Sequence, residues 1–352
     1  MKVAYLSPFR NDTNLLTEIQ KGLLVENGYR VLPFSFRTLL SPGVFGLLRR
    51  DNVVLLNWLE CRPFAKRGGR MRLSPAGLLQ FVVYLAVLLA ARARVVYIVH
   101  NHAVHETDGA LRRYSSWLIA LLCRVADVRV VHDPTACDRY RATYLPHPLY
   151  WEFRPDATAG ESRPSGPPRR PIFKALGAIT SYKALHQVLA AWPQGVPLEI
   201  RGRGDAQYVA RLRAIIEQRA LSAVVSLHPG LMTEDDFDRQ IASADVLLLP
   251  HMAGSMLVSG AFFEGAGRAR AIVARRTPFM EWVAAQIPGV FLFAEAAELP
   301  ALVARVQSEW PQLFDASQAR AVAQGLFGRG RCIAAYGTVL SGQAGGMVGG
   351  AR

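Results

Sequence analysis

Residues 172–192 read IFKALGAITSYKALHQVLAAW, and the fold class follows from this stretch. The short apolar run Ile172–Gly177 predicts a β-strand, and Ser181–Trp192 predicts a helix. A strand that passes through a tight turn into a helix is the first part of a βαβ unit, from which parallel sheets are built. The segment therefore predicts a parallel sheet with helices packed on it.

The same alternation of short apolar runs and helical stretches continues on both sides of this segment. It extends forward to Val290–Phe293, and it fills the first half of the chain from Val3–Leu6 to Val128–Val131. Between the halves, Pro155–Pro171 reads PDATAGESRPSGPPRRP and lacks apolar periodicity, which is typical of a linker. We expect an α/β protein with two Rossmann-like, doubly wound domains that face a cleft. The expected boundaries are 1–154, a linker 155–171, a second domain 172–340 and a flexible tail 341–352.

Composition limits the classes of protein and partner. The 352 residues carry a formal net charge of +14, and only five of the 41 basic residues are lysine. Such a surface favours anionic partners, namely phosphates, lipid headgroups or nucleic acid. Hydrophobic residues make up 51% of the chain, which excludes intrinsic disorder.

The four cysteines form no CxxC pair, so they predict reduced thiols rather than a zinc site or disulfides. The apolar run in the first residues, MKVAYL, is too short for the hydrophobic region of a signal peptide, so we expect a protein of the cytoplasm.

The segment 62–94 combines an apolar run with an excess of basic residues. No acidic residue lies between Glu60 and Glu106, whereas seven arginines and lysines do. The apolar run Pro75–Ala91 is shorter than the roughly 20 residues that cross a bilayer. A helix lying in the membrane interface fits this length and charge, and a buried core helix is the alternative. The residues expected to contact the membrane are Arg67, Arg70, Arg72, Phe81 and Tyr84.

Polar residues follow the predicted strands of the first domain. Asn57–Glu60 reads NWLE after the third strand, and His100–Glu106 reads HNHAVHE after the fourth. Open α/β sheets bind ligands beyond the carboxyl ends of their strands, so these residues are candidates for a site. Three histidines at this spacing do not converge like the zinc ligands of a helical HExxH motif, so no metal site is expected.

A second set of polar residues follows the strands of the second domain. Lys183, at the start of the helix after Ile172–Gly177, is suited to a diphosphate because helix N-termini and amines both attract anions. Arginines and glycines alternate at Arg201–Gly204, where a backbone can approach a phosphate closely. The candidate residues of this phosphate-binding site are Gly177, Tyr182, Lys183, Arg201, Arg203, His251, Ser259, Gly260 and Glu264.

These motifs together resemble those of GT-B glycosyltransferases related to family 4, especially the bacterial exopolysaccharide branch of xanthan-type mannosyltransferases. The resemblance spans nearly the whole chain and includes NWLE, VHNHAVHE, LPHPLY, GAITSYKAL, LEIRGRGD, ADVLLLPH and SGAFFEGAGRARAIVA. It implies that Lys183 contacts the donor diphosphate and that Glu264 holds the nucleotide ribose.

The sequence also departs from that family in three places. The first of its paired glutamates, eight positions before Glu264, is replaced by Met256. The arginine before the lysine is replaced by Thr180 or Ser181, so that Arg201 or Arg203 would neutralise the diphosphate. The glycine-rich first loop is replaced by Arg10–Asn14.

The resemblance implies transfer of a sugar to an acceptor hydroxyl while a nucleoside diphosphate departs. Because no DxD motif follows a predicted strand, cations and helix N-termini must stabilise the leaving charge, so no metal and no cofactor are expected. An inverting reaction also needs a general base, for which Glu60 is the first candidate and His105 or Glu106 the next. Alternatively, Glu60 is an exposed carboxylate paired with Arg62, and Glu106 caps the helix that contains Leu111. Stereochemistry stays open.

The sequence thus predicts a peripheral enzyme at the cytoplasmic face of the inner membrane. Its expected substrates are a nucleotide-sugar, GDP-mannose by preference, and a polyprenyl-diphosphate-linked oligosaccharide of exopolysaccharide biosynthesis. A hexosyltransferase that uses a UDP-sugar and an inactive scaffold of a polysaccharide assembly complex are the alternatives. Nucleic acid is not an expected partner, because no recognition module accompanies the basic residues.

Overall fold

A computed structural model of the chain describes residues 1–10, 15–67, 70–154, 170–252, 254, 256–313 and 316–342. It divides into two compact units. The N-terminal unit comprises Met1–Tyr150, Gly254–Val258 and Arg329–Arg352, and the C-terminal unit comprises Trp151–Ala253 and Ser259–Gly328. The expected linker 155–171 and tail 341–352 lie mostly outside the described residues, as do positions 11–14.

The N-terminal unit contains a six-stranded parallel sheet in the order β2-β1-β3-β6-β7-β8. Its elements are β1 (Lys2–Ser7), α1 (Leu16–Glu26), β2 (Tyr29–Pro33), α2 (Phe36–Leu39), β3 (Val53–Asn57), β4 (Phe64–Arg67), β5 (Arg70–Leu73), α3 (Pro75–Ala90), β6 (Arg94–Val99), α4 (Gly109–Val125), β7 (Val128–Val131), α5 (Cys137–Tyr140) and β8 (Thr143–Tyr144). Strand β3 is buried at every position, as expected for a strand covered by helices on both faces. β4 and β5 form an antiparallel hairpin outside the main sheet.

The C-terminal unit contains a second six-stranded parallel sheet, in the order β11-β10-β9-β12-β13-β14. Its elements are β9 (Phe173–Leu176), α6 (Leu185–Ala191), β10 (Leu198–Gly202), α7 (Ala206–Gln218), β11 (Val225–Pro229), α8 (Glu234–Ala242), β12 (Val246–Leu249), α9 (Gly260–Gly265), β13 (Ala271–Arg275), α10 (Pro278–Ala284), β14 (Val290–Phe293), α11 (Leu299–Leu313) and α12 (Ser317–Phe327). The expected doubly wound α/β fold is confirmed for both units.

The strand order fixes where each sheet can bind a ligand. Strand order reverses between β1 and β3 in the N-terminal sheet and between β9 and β12 in the C-terminal sheet. At such a switch point the connections leave in opposite directions, which opens a crevice beyond the carboxyl ends of the two strands. Ser7 and Asn57 lie at the first crevice, and Gly177 and His251 lie just beyond the strand ends at the second.

The last helix belongs to the N-terminal unit, which corrects the expected boundary of the second domain at residue 340. The sequence predicts one helical stretch near 317–340, but the chain breaks at Gly328 between α12 and α13 (Arg329–Ser341). A Cβ at Gly328 would lie 2.4 Å from the Gln324 carbonyl oxygen, so glycine is needed there. Helix α13 buries Tyr336 and Leu340, and Arg94 donates a 2.7 Å hydrogen bond to the Leu340 carbonyl.

Helix α3 buries one face and exposes the other. Phe81, Tyr84 and Leu88 lie in the core of the N-terminal unit, where the Tyr84 ring packs on Phe34 and Phe36. Phe81 and Tyr84 are each 2% exposed, so the expectation that they contact a membrane is wrong. The spacing of three and four residues places Phe81, Tyr84 and Leu88 on one face of the helix. The side chains of Arg67 and Arg70 lie outside the described part, and Arg72 is exposed.

We predict that Phe81→Ala destabilises the protein by about 3–5 kcal/mol, because a large side chain is removed from a packed core. Leu79→Ala, on the exposed face of the same helix, is the matched control and should change stability by less than about 0.5 kcal/mol. Urea unfolding of both variants measures the difference. Equal stability of the two variants would contradict the burial of Phe81.

Candidate functional site

Two glycines allow close backbone approach at the carboxyl edge of the C-terminal sheet. Gly177 follows β9 with φ +93°, and Gly202 ends β10 with φ +147°, both in the range that favours glycine. A Cβ on Gly202 would lie 1.9 Å from the Gly177 carbonyl oxygen, so no larger residue fits there. The Gly177 amide donates to the Arg201 carbonyl at 3.0 Å. This edge therefore has a fixed backbone with little side-chain bulk.

Lys183 places a buried amine beside these glycines. It lies on a short 3-10 turn, Ser181–Lys183, and its Nζ donates to the Leu176 carbonyl at 3.1 Å. A Cβ on Gly177 would lie 3.1 Å from Nζ, so the glycine makes room for the amine. Burial lowers the pKa of Lys183 to about 8, because a desolvated ammonium is costly. Ala184 is left-handed at φ +51° and α6 begins at Leu185, so Lys183 stands ahead of the helix rather than in its first turn.

The two candidate arginines differ in their partners. Arg201 is ion-paired with Glu199, which also binds Lys174 at 2.9 Å. Arg203 is exposed, and no carboxylate within the described ranges pairs with it. Arg203 is thus the more available cation for an incoming anion. His251 is buried after β12, and its ring lies 5.9 Å from that of Tyr182.

Glu264 lies in a buried ionic network that the sequence did not reveal. Its Oε1 accepts from Arg154 at 2.8 Å, and Arg154 also binds Asp238, which binds Arg268 in turn. Glu264 Oε2 has no hydrogen-bond partner among the described residues. Burial raises the pKa of Glu264 to about 7, although Arg154 and Arg268 act to lower it. The network holds the carboxylate in one orientation and leaves one oxygen for a further donor.

Ser259 and Gly260 begin the short helix α9, which contains Glu264. Ser259 is half-buried, and its side chain makes no capping hydrogen bond. The position of the missing first glutamate, Met256, belongs to the N-terminal unit, where it pairs with Asn101 in an isolated bridge.

Glu60 is inside the core of the N-terminal unit, which corrects both readings of its sequence. It is fully buried on a 3-10 turn after β3, and its Oε2 accepts from the Tyr97 hydroxyl at 2.9 Å. Its Oε1 has no partner in the described part, and no ion pair with Arg62 forms there. Burial raises the pKa of Glu60 to about 7. Contact of this carboxyl with a substrate requires the turn Leu59–Cys61 to rearrange.

A row of rings lies along the carboxyl edge of the N-terminal sheet, and its three histidines are buried. Trp58 stacks on His100 with centroids 4.2 Å apart, His100 lies 5.4 Å from His132, and His132 lies 4.8 Å from His147. Asn57 Oδ1 can only accept, so His100 Nε2 donates to it at 2.8 Å. Burial lowers the pKa of all three histidines, so the row is neutral at pH 7. His132 and His147 were not among the expected site residues, although each follows its strand as His100 does.

His105 and Glu106 lie on the loop after this row. His105 is half-buried, and desolvation lowers its pKa although Glu106 acts to raise it. Glu106 has φ +58° and forms a 2.6 Å ion pair with Lys66 of the hairpin. It does not cap α4, because Asp108 occupies that position.

A cavity of about 450 Å³ occupies the crevice at the N-terminal switch point. It is lined by the ends of β1 and β3, by Cys61 and Arg62, by the hairpin and by the first turns of α3. Its volume lies within the range of small-molecule sites. No group of three or more histidine, cysteine, aspartate or glutamate side chains in the described part could hold a metal ion.

One curated relative and several solved structures are similar to this chain. No family model matches the chain. The chain is 31% identical over 176 residues to the Escherichia coli K12 protein named "Putative colanic acid biosynthesis glycosyltransferase WcaL"; the match covers 49% of this chain and 39% of that relative. The chain therefore aligns with about two fifths of the length of this curated relative.

Solved structures match over almost the whole chain. Anabaena HepE, solved in complex with UDP, has a TM-score of 0.64 at 16% identity and covers 97% of this chain and 100% of its own. Sucrose-phosphate synthase from Thermosynechococcus elongatus has a TM-score of 0.65 at 14% identity and covers 97% and 99%. AviGT4 has a TM-score of 0.56 at 14% identity and covers 98% of both chains. The two parallel-sheet Rossmann-like domains therefore have the fold of the GT-B glycosyltransferases.

We predict that Glu60→Gln stabilises the protein above pH 7 by about 1–3 kcal/mol. The folded-state pKa of about 7 lies above the unfolded value of 4.5, so the wild type binds this proton more tightly when folded. That contribution is complete below pH 4.5 and is lost as the pH rises through 7. Glutamine keeps the hydrogen bond from Tyr97 without the charge.

Urea unfolding between pH 4.5 and 8 measures this effect, with the exposed Glu217→Gln as the control. The difference between Glu60→Gln and wild type should grow with pH, whereas Glu217→Gln should show no trend. A pH-independent difference would mean that Glu60 is already ionised in the folded protein.

Proposed function

We propose that this chain is a glycosyltransferase that transfers mannose from GDP-mannose to a polyprenyl-diphosphate-linked oligosaccharide in exopolysaccharide biosynthesis. The proposal places it in the xanthan-type mannosyltransferase branch and includes metal-independent transfer. The observation that carries it is the carboxyl edge of the C-terminal sheet, where the Lys183 amine lies beside two close-packed glycines. The oriented Glu264 carboxylate lies on α9, which follows β12 of the same sheet. The resemblance of the motifs and the match to WcaL support it.

In this proposal the residues of the C-terminal unit hold the donor. The charged Lys183 amine donates to a diphosphate oxygen and stabilises the negative charge that develops on the leaving group. Arg203 adds a second cation, because no described carboxylate neutralises it. Glu264 Oε2 accepts from a ribose hydroxyl, since Arg154 already holds Oε1.

The proton of the acceptor hydroxyl requires a base if the reaction inverts. His105 and Glu106 are closer to solvent than Glu60, and the low pKa of His105 keeps its imidazole neutral and able to accept a proton. The buried Glu60 then supports the turn after β3 through Tyr97 rather than meeting the acceptor.

A UDP-sugar donor is the second candidate. HepE, which shares the fold, was solved with UDP and with UDP-glucose. A catalytically inactive scaffold is the third, since Met256 replaces the first glutamate of the related family. Calorimetric titration of GDP, UDP and ADP, followed by a transfer assay with the preferred nucleotide-sugar, separates the three. Binding of none of them would contradict the transferase proposal.

The proposed location is the cytoplasmic face of the inner membrane, where the protein binds the surface of an anionic bilayer. Eight of the thirteen exposed large apolar side chains in the described part lie between Leu40 and Leu89, and exposed Arg49, Arg50, Arg62, Lys66 and Arg72 lie in the same segment. On α3, Leu79, Val82 and Leu89 form an apolar stripe. Interfacial helices combine such a stripe with cations that meet lipid headgroups. Among the described residues, no helix has the length and hydropathy needed to cross a bilayer.

We predict that Lys183→Met weakens binding of the preferred nucleoside diphosphate by about 10–100-fold, the usual effect of losing a charge-assisted hydrogen bond. Methionine keeps the buried apolar stem, so the fold should survive. Wild-type affinity should also fall above pH 8, where the amine loses its proton. Calorimetry measures both effects, and Lys21→Ala in the N-terminal unit is the control. Undiminished affinity of Lys183→Met would remove Lys183 from the site.

We predict that replacing Leu78, Leu79 and Val82 together by serine lowers co-sedimentation with phosphatidylglycerol vesicles by at least about tenfold, because buried apolar area drives interfacial binding. Leu231→Ser, which changes an 84% exposed leucine of the C-terminal unit, is the control. Binding to neutral phosphatidylcholine vesicles should be weak for every protein. Co-sedimentation of the triple variant with vesicles at the wild-type level would contradict the proposal that the exposed face of α3 binds the membrane.

A further inference from the structure

The N-terminal unit has a cavity that no step of the proposed donor binding uses. Its volume of about 450 Å³ lies beyond the ends of β1 and β3, where Ser7 and Asn57 border it. The strand order reverses between these two strands, so the crevice is a consequence of the topology rather than of a loose loop. The position is that of a ligand site in an open parallel sheet.

The wall of this cavity carries a cation without a counter-ion. Arg62 is exposed, and no carboxylate in the described portion of the chain pairs with it. Its guanidinium lies 5.6 Å from the centroid of the buried Tyr84 ring and donates a long, 3.5 Å hydrogen bond to Gln80, which also lines the cavity. The ring and the amide limit the directions that the guanidinium can take. A planar guanidinium group held in this way can donate two hydrogen bonds to the oxygens of a phosphate.

Two exposed leucines neighbour residues that line the cavity. Ala76 and Gln80, one turn apart, line it, and Leu79, one turn after Ala76, is 67% exposed. Leu73, at the end of the hairpin, is also exposed. A ligand whose polar head contacts Arg62 therefore has an apolar surface next to it on the same helix. Phosphate and hydrocarbon in one molecule are the chemistry that matches both parts.

We infer that this cavity binds the phosphate-bearing head of a polyprenyl-type amphiphile, whose hydrocarbon chain leaves the cavity along Leu73 and Leu79. The inference rests on the proposed function for its substrate class, and it assigns the acceptor's lipid phosphate to a specific cavity. Arg62 contacts the phosphate oxygens, and the two exposed leucines contact the first part of the chain.

Calorimetry on the full chain with farnesyl diphosphate, inorganic diphosphate and farnesol tests this inference. Farnesyl diphosphate should bind most tightly, because it alone has both head and chain. Arg62→Gln, which removes the cation, and Ala76→Trp, which fills the cavity, should each weaken its binding by at least about tenfold. Arg213→Gln and Ala210→Trp, at exposed positions of α7, repeat these changes away from the cavity and should bind as the wild type does.

Three results would overturn the inference. The first is that the wild type does not bind farnesyl diphosphate. The second is that the cavity variants bind it as tightly as the wild type. The third is that the wild type binds inorganic diphosphate as tightly as farnesyl diphosphate, which would reveal a site for free anions. Lys183→Met should bind farnesyl diphosphate normally, since a loss there would assign the ligand to the donor crevice. Parallel titration with GDP and UDP reports on the proposed function separately, because nucleotide binding does not involve Arg62.

Discussion

Both units depend on the same constraint, which is that a parallel sheet covered by helices has no polar face. The fully buried β3 and β12 show how completely side chains on these strands are removed from water. A polar group that must meet a ligand can then lie only where a strand ends. Asn57 and His100 in one unit, and Gly177 and His251 in the other, all lie at this edge. The order of the strands then selects one crevice of each edge, and the cavity beside Ser7 and the amine of Lys183 occupy those crevices.

Burial gives the charged residues at these edges different properties. Lys183 and Glu264 are both buried, but Glu264 is bonded to Arg154, whereas the one partner of Lys183 among the described residues is the Leu176 carbonyl. Desolvation therefore moves the pKa of each toward neutrality from opposite directions. A diphosphate near Lys183 would restore the charge that burial disfavours, and that gain is available only when the ligand is bound. Glu60 has no such role in the observed arrangement, because its surroundings are the core itself.

The sequence was sufficient for the features that depend on local pattern. Alternating strands and helices predicted both sheets, and the strand ends located most candidate site residues. The sequence did not predict contacts between residues that are far apart in the chain. Arg154 contacts Glu264, 110 positions later, and the histidines His100, His132 and His147 follow three different strands. The helix break at Gly328 was missed because one helical pattern continues on both sides of it, although a glycine between two helical runs was the available signal.

Helix α3 shows why composition alone does not tell which residues of a helix are buried. Its sequence is apolar on every side, so no periodicity distinguishes the face that packs from the face that remains exposed. The core of the unit selects Phe81, Tyr84 and Leu88 because the larger rings fill the space beside Phe34 and Phe36. The aliphatic residues are left outside, where water contact is costly. A soluble helix would replace them with polar residues at little cost to packing. Their exposure beside arginines that pair with no carboxylate in the described part of the chain favours a function for this face, and the proposed anionic bilayer would match both its apolar stripe and its charge.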